Sequence, residues 1–309
     1  MEDRIHWLEV KMTASGEIAE ALADVLGRFV SNGVVVESVT RFNPHTHENE
    51  PTGDMDVFGY LPVDQDLENK KQKLQEALWH LAQIEPIPSP VFKLVQDQNW
   101  MAAWKQHYHP ILVGDRILIL PAWLQPEVPG DRVTIRINPA MAFGTGTHPT
   151  TQLCLRLLEK HIQPGTPVID VGCGSGILSI AALKFGANHV LAVDVDGQAV
   201  ISTVENAGLN EISPLELETG KGSVEQILTG QFSIQQAPLV MVNILAKIIT
   251  QLFSQGLAQL VSPGGTLLLS GILDHQEEHL IHNAKNAGFT ILETLKHDDW
   301  ISLALKKSP

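Results

Sequence analysis

Residues 168–182 read VIDVGCGSGILSIAA, and this stretch decides the fold of the chain. Val168 to Val171 are typical of a buried strand, glycines follow at 172, 174 and 176, and an apolar helix comes after them. Glycines at such a turn let a ligand approach the backbone near the carboxyl end of the strand. A dinucleotide site expects one more glycine where Ile177 stands, so the spacing argues against NAD. We therefore predict a Rossmann-like cofactor site that includes Gly172 and Gly174.

The next apolar strand ends in an acid, Asp194, 22 residues after Gly172. A carboxylate at the tip of the second strand suits acceptance of hydrogen bonds from ribose hydroxyls. Both nicotinamide and S-adenosylmethionine proteins use such an acid, so Asp194 does not separate these two cofactors. Asp170, just before the glycine loop, is interpreted as a brace for backbone amides.

Strand-like and helix-like patterns alternate from residue 132 onward. Strands are predicted near 132–137, 167–171, 189–194, 214–218, 238–243, 265–270, 289–295 and 300–305. Such alternation is typical of parallel βαβ units with right-handed crossovers. The last two strands leave no room for a helix between them, so they should pair antiparallel. The predicted fold class is α/β, with a Rossmann-like doubly wound, mostly parallel sheet and an antiparallel C-terminal hairpin.

The first part of the chain has a different pattern. Strands are predicted at 6–12, 33–39, 56–61 and 91–96, and helices at 16–30 and 68–84. This βαββαβ order is typical of a small ferredoxin-like α+β domain. We therefore divide the chain into an N-terminal domain (1–97), a linker and connecting segment (98–130) and a cofactor-binding domain (131–309).

Charge and composition narrow the class of partner. The net charge of the 309 residues is −14, which disfavours a nucleic-acid backbone as the main ligand. Residues 1–80 hold 15 acidic and 7 basic side chains, and two interpretations stay open: a solvated surface, or a docking face for a basic protein.

Composition also bears on metals, disulfides and location. No apolar run approaches roughly 20 residues and no signal-peptide pattern opens the chain, so we expect no membrane segment and a cytoplasmic location. Two cysteines without CxxC spacing, and isolated histidine pairs at 45/47 and 107/109, predict neither a disulfide framework nor a metal site.

A second loop, residues 142–151, reads AFGTGTHPTT and leads into a helix. One interpretation is helix capping, with Thr147 as the N-cap and Pro149 in the first turn. Capping needs one hydroxyl, whereas the loop holds four threonines, so we also expect it to contact the ligand. His148 is interpreted as a cap or a loop brace, and a catalytic role for it is the less favoured alternative.

The predicted strand at 238–243 ends in Asn243. A polar amide at the carboxyl edge of such a sheet lies where ligands bind, although a helix cap is the other interpretation. In methyltransferases of nucleic-acid amino groups this strand end typically carries Asn or Asp, two prolines and an aromatic residue. Here the prolines and the aromatic residue are absent, which disfavours a base as methyl acceptor and favours an aliphatic amine.

Four segments together resemble the ribosomal protein L11 (L-eleven) methyltransferase family. They are WMAAWK at 100–105, AFGTGTHPTT at 142–151, DVGCGSGIL at 170–178 and NILA at 243–246. The second segment is very specific, while the glycine loop is shared with most Rossmann-like methyltransferases. Ala140 departs from the family pattern, because the family usually has glycine after the proline that is Pro139 here.

The resemblance implies an enzyme that uses S-adenosylmethionine to methylate lysine side chains and the terminal amine of ribosomal protein L11. It also implies that the N-terminal domain recognises this basic substrate. The implied cofactor contacts are Thr151, Gly172, Asp194 and Asn243, with Phe143 and Gly174 as further candidates. Asn243 is in addition the candidate for positioning the amine. We expect a monomer that does not recognise nucleic acid directly.

Three other functions stay open. The first is S-adenosylmethionine-dependent N-methylation of another protein or a small amine. The second is a nicotinamide-dependent dehydrogenase, which Ile177 disfavours. The third is a protein that binds S-adenosylmethionine without transferring its methyl group, against which the threonine loop and Asn243 argue.

Overall fold

The computed structural model describes residues 6–30, 34–43, 48–83, 86–96, 110–124, 132–138 and 144–309. The contacts within the chain separate two compact units. The first contains the described residues up to Gln96, and the second contains those from Pro110 onward. Among the described residues, no helix is long and apolar enough to cross a membrane.

The first unit is an antiparallel sheet with two helices. Its elements are β1 (His6–Ser15), α1 (Gly16–Gly27), β2 (Val35–Asn43), β3 (Glu48–Pro62), α2 (Leu67–Ala82) and β4 (Val91–Gln96). The strand order is β2-β3-β1-β4. Alternate residues of β1, including Val10 and Met12, are buried with Leu22 and Leu26 of α1 and Leu74 of α2. The period-two pattern of β1 thus places its apolar side chains against the helices.

The second unit is built on a seven-stranded sheet. Its strands are β8 (Pro167–Val171), β9 (His189–Asp194), β10 (Leu217–Lys221), β11 (Ala237–Asn243), β12 (Val261–Leu273), β13 (Phe289–His297) and β14 (Trp300–Lys307). The order is β10-β9-β8-β11-β12-β14-β13. The neighbouring pairs from β10 to β12 are parallel, whereas β14 runs antiparallel to both β12 and β13. The prediction of a doubly wound, mostly parallel sheet with an antiparallel C-terminal hairpin is confirmed.

Helices cover both faces of this sheet. They are α3 (Pro149–His161), α4 (Ile177–Lys184), α5 (Gly197–Leu209), α6 (Val224–Leu228), α7 (Ala246–Ser254) and α8 (Glu277–Asn286). Val168 of β8 lies in the core with α3 and α4, while its neighbour Ile169 lies in a second core with α6, α7 and α8. Because both faces are buried, the central strands are apolar at nearly every position.

A separate three-stranded sheet precedes the large one. Its strands are β5 (Ile111–Val113), β6 (Ile117–Pro121) and β7 (Val133–Ile137), and β6 pairs parallel with β7. Residues 132–137 had been expected to join the alternating sheet, which is wrong: the sequence pattern specifies a strand but not its partner. Residues 110–124, assigned above to the connecting segment, lie in the second unit.

Several other strands differ from their predicted bounds, among them β3, which begins at Glu48 rather than 56, and β10 and β12. β10 begins at Leu217 rather than 214, because the backbone NH of Glu216 donates to the carbonyl of Ser213 in a turn. β12 extends to both sides of the predicted 265–270, through Pro263 and Gly264. Turn residues such as proline and glycine therefore did not predict the ends of these strands correctly.

Candidate cofactor and active site

Three strand ends meet at one edge of the large sheet. Val171 of β8 is in register with Val193 of β9 and with Val242 of β11. The next residue on each strand is Gly172, Asp194 and Asn243, respectively. The structure therefore brings these three predicted site residues to neighbouring positions at the carboxyl edge, where ligands of such sheets bind.

The glycine loop has left-handed backbone at three alternate positions. Gly172, Gly174 and Gly176 have φ of +80°, +53° and +80°, a region that glycine adopts without steric cost. The amides of Gly172 and Cys173 both donate to the carbonyl of Val193, at 2.8 and 3.1 Å. The loop is thereby attached to the end of β9 before it turns into α4.

Asp194 joins the glycine loop directly. Its Oδ2 accepts from the backbone NH of Gly174 at 3.0 Å, and its Oδ1 accepts from the NH of Asp196 at 2.9 Å. The carboxylate is half-buried, and an ionised carboxylate accepts several hydrogen bonds at once. An acceptor held beside glycines, which have no side chain to block a ligand, fits the ribose of an adenosyl cofactor, so the residues present suit S-adenosylmethionine.

Asp170 lies beneath the loop. It is fully buried, and its Oδ2 accepts from the hydroxyl of Ser179 at 2.6 Å. Burial raises the pKa of Asp170 to about 7, and the nearby charge of Asp194 acts in the same direction. Its observed partner is Ser179 on α4, rather than the loop amides that the sequence suggested.

The threonine loop is capped differently from the prediction. The N-cap of α3 is His148, not Thr147, and Pro149 follows it. Nδ1 of His148 accepts from the NH of Thr150 at 3.3 Å and lies 2.8 Å from the hydroxyl of Thr150. The hydroxyl of Thr147 instead pairs with that of Thr145 at 2.9 Å. The interpretation of His148 as a cap is confirmed.

His148 is also part of the core. It is 5% exposed, and its ring meets that of Trp300 edge to face, with centroids 4.9 Å apart. Burial lowers the pKa of His148 to about 3. The imidazole is therefore neutral near pH 7 and too weak a base to serve as an efficient proton acceptor there.

Thr151 and Asn243 come together at the same edge. Nδ2 of Asn243 donates to Oγ1 of Thr151 at 3.5 Å, and Thr151 is fully buried. The carbonyl of Thr150 accepts from the hydroxyl of Ser270 at 2.8 Å, which attaches the start of α3 to β12. Thr151 and Asn243 thus belong to one connected group, although they are far apart in the sequence.

Ile244 is enclosed by two glycines, one of which the sequence analysis missed. A Cβ on Gly172 would lie 2.5 Å from Cγ2 of Ile244, and a Cβ on Gly271 would lie 2.2 Å from its carbonyl oxygen. Gly271 also has φ of +83°. It directly follows the predicted strand 265–270, whereas in the structure it lies within β12. Because neither glycine has a side chain, Ile244 has room to follow Asn243 out of the sheet.

The remaining predictions concern residues outside the described ranges, metal binding and the two cysteines. Phe143, the segment 100–105 and both histidine pairs lie outside the described residues. Within the part that the structure describes, no three His, Cys, Asp or Glu side chains lie close enough to hold a metal ion. Cys154 and Cys173 are buried and form no disulfide, and burial raises the pKa of both thiols.

The sheet order, the glycine loop and the acid on the adjacent strand define a Rossmann-like methyltransferase that uses S-adenosylmethionine. The family model described as ribosomal protein L11 methyltransferase (PrmA) matches residues 6–308. The chain belongs to this family.

Two relatives are similar in sequence to nearly the whole chain, and a solved structure is similar to part of it. The ribosomal protein L11 methyltransferase of Chloroflexus aurantiacus is 35% identical, covering 97% of this chain and 98% of the relative. That of Pelobacter propionicus is 35% identical, with 98% of each chain covered. The solved ribosomal protein L11 methylase of Lactobacillus delbrueckii subsp. bulgaricus is 33% identical with a TM-score of 0.58, covering 65% of this chain and 100% of that chain.

Proposed function

We propose that this chain methylates lysine side chains and the terminal amine of ribosomal protein L11, with S-adenosylmethionine as methyl donor. Membership of the family supports the substrate. The observation that carries the chemistry is the hydrogen-bonded pair of Asn243 and Thr151, at the strand edge that also holds Gly172 and Asp194.

The cofactor would be held by groups from three elements. The glycine loop would offer backbone at Gly172 and Gly174, and Asp194 would accept from the ribose hydroxyls. Thr151 would contact the cofactor from the start of α3, with Phe143 as a further candidate. When bound, S-adenosylmethionine supplies a methyl group activated by a cationic sulfur.

Asn243 is suited to position the amine. Its Nδ2 lies 3.5 Å from Oγ1 of Thr151, a long hydrogen bond, and in this orientation Oδ1 is an acceptor for an N–H of the substrate. A lysine amine has a reference pKa of about 10.4 and must lose a proton before it can attack. A partly dry site next to a positive charge lowers that pKa, so orientation and desolvation replace a strong general base.

The acidic first unit fits a basic partner. Residues 1–80 hold 15 acidic against 7 basic side chains, and ribosomal proteins are usually basic, so charge complementarity favours their encounter. We assign substrate recognition to residues 1–97 and catalysis to residues 131–309; of the predicted connecting segment 98–130, residues 110–124 lie in the second unit and are grouped with the catalytic part. The enzyme would act as a monomer without direct recognition of nucleic acid.

The proposal is tested by incubating purified ribosomal protein L11 with this protein and labelled S-adenosylmethionine, followed by mass mapping of the modified residues. We expect methyl groups on lysine side chains and on the terminal amine. Label confined to other residue types, or no label on L11 from a preparation that binds S-adenosylmethionine, would overturn the assignment of the substrate.

The role of Asn243 is tested with Asn243→Ala. Loss of the positioning amide should lower turnover by about a hundredfold, while binding of S-adenosylmethionine, measured by calorimetry, stays detectable. Asn286→Ala is the matched control, because Asn286 is an exposed asparagine at the end of α8. Turnover of Asn243→Ala equal to that of the control would remove Asn243 from the mechanism.

A further inference from the structure

Helix α5 and its C-cap residue, Asn210, carry three buried polar side chains that hydrogen-bond to backbone groups. Thr203 and Asn206 are fully buried, and Asn210 is 8% exposed. Thr203 donates to the carbonyl of Gly174 at 3.0 Å. A buried amide or hydroxyl is stabilising only when its hydrogen bonds are made, so the partners of these side chains indicate their role.

Asn206 links the glycine loop to the end of β7. Its Nδ2 donates to the carbonyl of Ser175 at 2.8 Å, and its Oδ1 accepts from the backbone NH of Asn138 at 2.8 Å. Both distances are those of good hydrogen bonds. One side chain therefore holds two segments that are far apart in the sequence.

The glycine loop is held to the threonine loop as well. The hydroxyl of Ser175 donates to the carbonyl of Gly144 at 2.7 Å. Asn138 and Gly144 are the described residues on either side of 139–143, the segment that ends in the candidate Phe143. Through Asn206 and the Ser175 hydroxyl, residue 175 is connected to both of these flanking positions.

Asn210 makes a different set of bonds. Its Oδ1 accepts from the NH of Arg136 at 2.8 Å, and its Nδ2 donates to the carbonyls of Arg136 and Asn206 at 2.6 and 2.8 Å. These bonds hold β7 and the helix itself, with no bond to the glycine loop among those of the described residues. Asn210, the C-cap of α5, is thus a buried asparagine with a purely structural set of partners.

We infer that Asn206 is a positioning residue of the methyltransferase site. It holds the glycine loop at Ser175 to Asn138 at the end of β7, so that the glycine-loop backbone is in place for the cofactor before binding. This inference deepens the proposed function, because it concerns the same cofactor site. Fixing the loop in advance removes ordering costs that binding would otherwise carry, so affinity for the cofactor should depend on Asn206.

The test compares binding of S-adenosylmethionine to the full chain by isothermal titration calorimetry. Asn206→Ala should raise the Kd about tenfold, because the carbonyl of Ser175 and the amide of Asn138 lose their shared partner. Asn206→Asp keeps an acceptor for Asn138 and removes the donor to Ser175, so it isolates the contact with the glycine loop. It should also raise the Kd about tenfold.

Asn210→Ala is the matched control, because it removes a buried amide one turn away. It should lower the thermal unfolding temperature comparably to Asn206→Ala, yet leave the Kd within about twofold of the wild type. In the methylation assay, Asn206→Ala should raise the KM for S-adenosylmethionine about tenfold, with kcat at saturation within about threefold.

Equal changes in Kd for the Asn206 and Asn210 variants would overturn the inference, and so would an unchanged Kd in Asn206→Asp. If both Asn206 variants failed to fold while Asn210→Ala folded, Asn206 would be structural and the inference would also fall. The calorimetric measurement needs no protein substrate. Its outcome is therefore separate from whether ribosomal protein L11 is the acceptor.

Discussion

The enclosure of Ile244 between Gly172 and Gly271 allows a quantitative test of how the active-site edge is built. In Gly172→Ala, the new methyl would lie 2.5 Å from Cγ2 of Ile244, well inside the roughly 3.5–4.0 Å of normal carbon contacts. The φ of +80° adds strain for a residue with a Cβ. Left-handed backbone costs about 1–2 kcal/mol and overpacking about 1–3 kcal/mol, so we expect a loss of about 2–5 kcal/mol in the free energy of unfolding.

Ile244→Ala should remove part of that loss. The next atom of Ile244 from the new methyl is Cβ at 3.9 Å, an ordinary contact distance. The double variant Gly172→Ala/Ile244→Ala should therefore show a favourable coupling of about 1–3 kcal/mol, equal to the overpacking that is relieved. The strain of the left-handed backbone should remain.

Gly271 provides the control within the same site. A Cβ on Gly271 would meet the backbone oxygen and carbon of Ile244, at 2.2 and 2.8 Å, which every residue type carries. Ile244→Ala should leave the loss caused by Gly271→Ala unchanged within about 0.5 kcal/mol. Urea unfolding followed by circular dichroism measures both cycles. Additive losses for the Gly172 pair, or equal rescue of both glycine variants, would refute this account of the edge.

Two further predictions concern buried titratable groups. The raised pKa of Asp170, about 7, means that the folded state keeps a proton that the unfolded chain releases near pH 4. Relative to Asp170→Asn, wild-type stability should fall by on the order of 3 kcal/mol as the pH rises from about 4 to 7, and then level off; a pH-independent difference would contradict this. The lowered pKa of His148, about 3, has the opposite sign, so the wild type should lose stability relative to His148→Asn as the pH falls below about 6.5. His148→Asn keeps a side-chain acceptor at the N-cap, whereas His148→Ala should lower the free energy of unfolding by at least about 1 kcal/mol. The methylation rate of His148→Asn should stay within a few-fold of wild type. A much larger loss would indicate that His148 acts in proton transfer.

Much of the fold could be predicted because its signals are local. The run 168–182 specifies a buried strand, a glycine turn and a helix within 15 residues, and β8 and α4 lie there. Asp194, at the end of the next strand, could be predicted as a site residue in the same way, because parallel strands place their carboxyl ends at one edge of the sheet. The C-terminal hairpin followed from the short connection between Leu295 and Trp300.

The site was predictable only as a set of residues. Gly172, Asp194 and Asn243 were recognised from strand ends, and sheet register brings them to neighbouring positions. The hydrogen bond between Asn243 and Thr151 could not be predicted, because these residues are 92 positions apart. Their functional roles stay predictions that the experiments above address.

The sequence by itself determined the elements of this protein: where apolar periodicity makes strands and helices, and where glycines allow a sharp turn. Only the tertiary structure decided the partner of β7, the place of β14 between β12 and β13, His148 as the cap, and the link that Asn206 makes between the glycine loop and the end of β7. The physical reason is the separation in sequence over which each kind of interaction acts. Backbone conformation responds to neighbouring residues, whereas pairing, capping and buried amide contacts depend on which distant groups the packed core leaves within hydrogen-bonding distance.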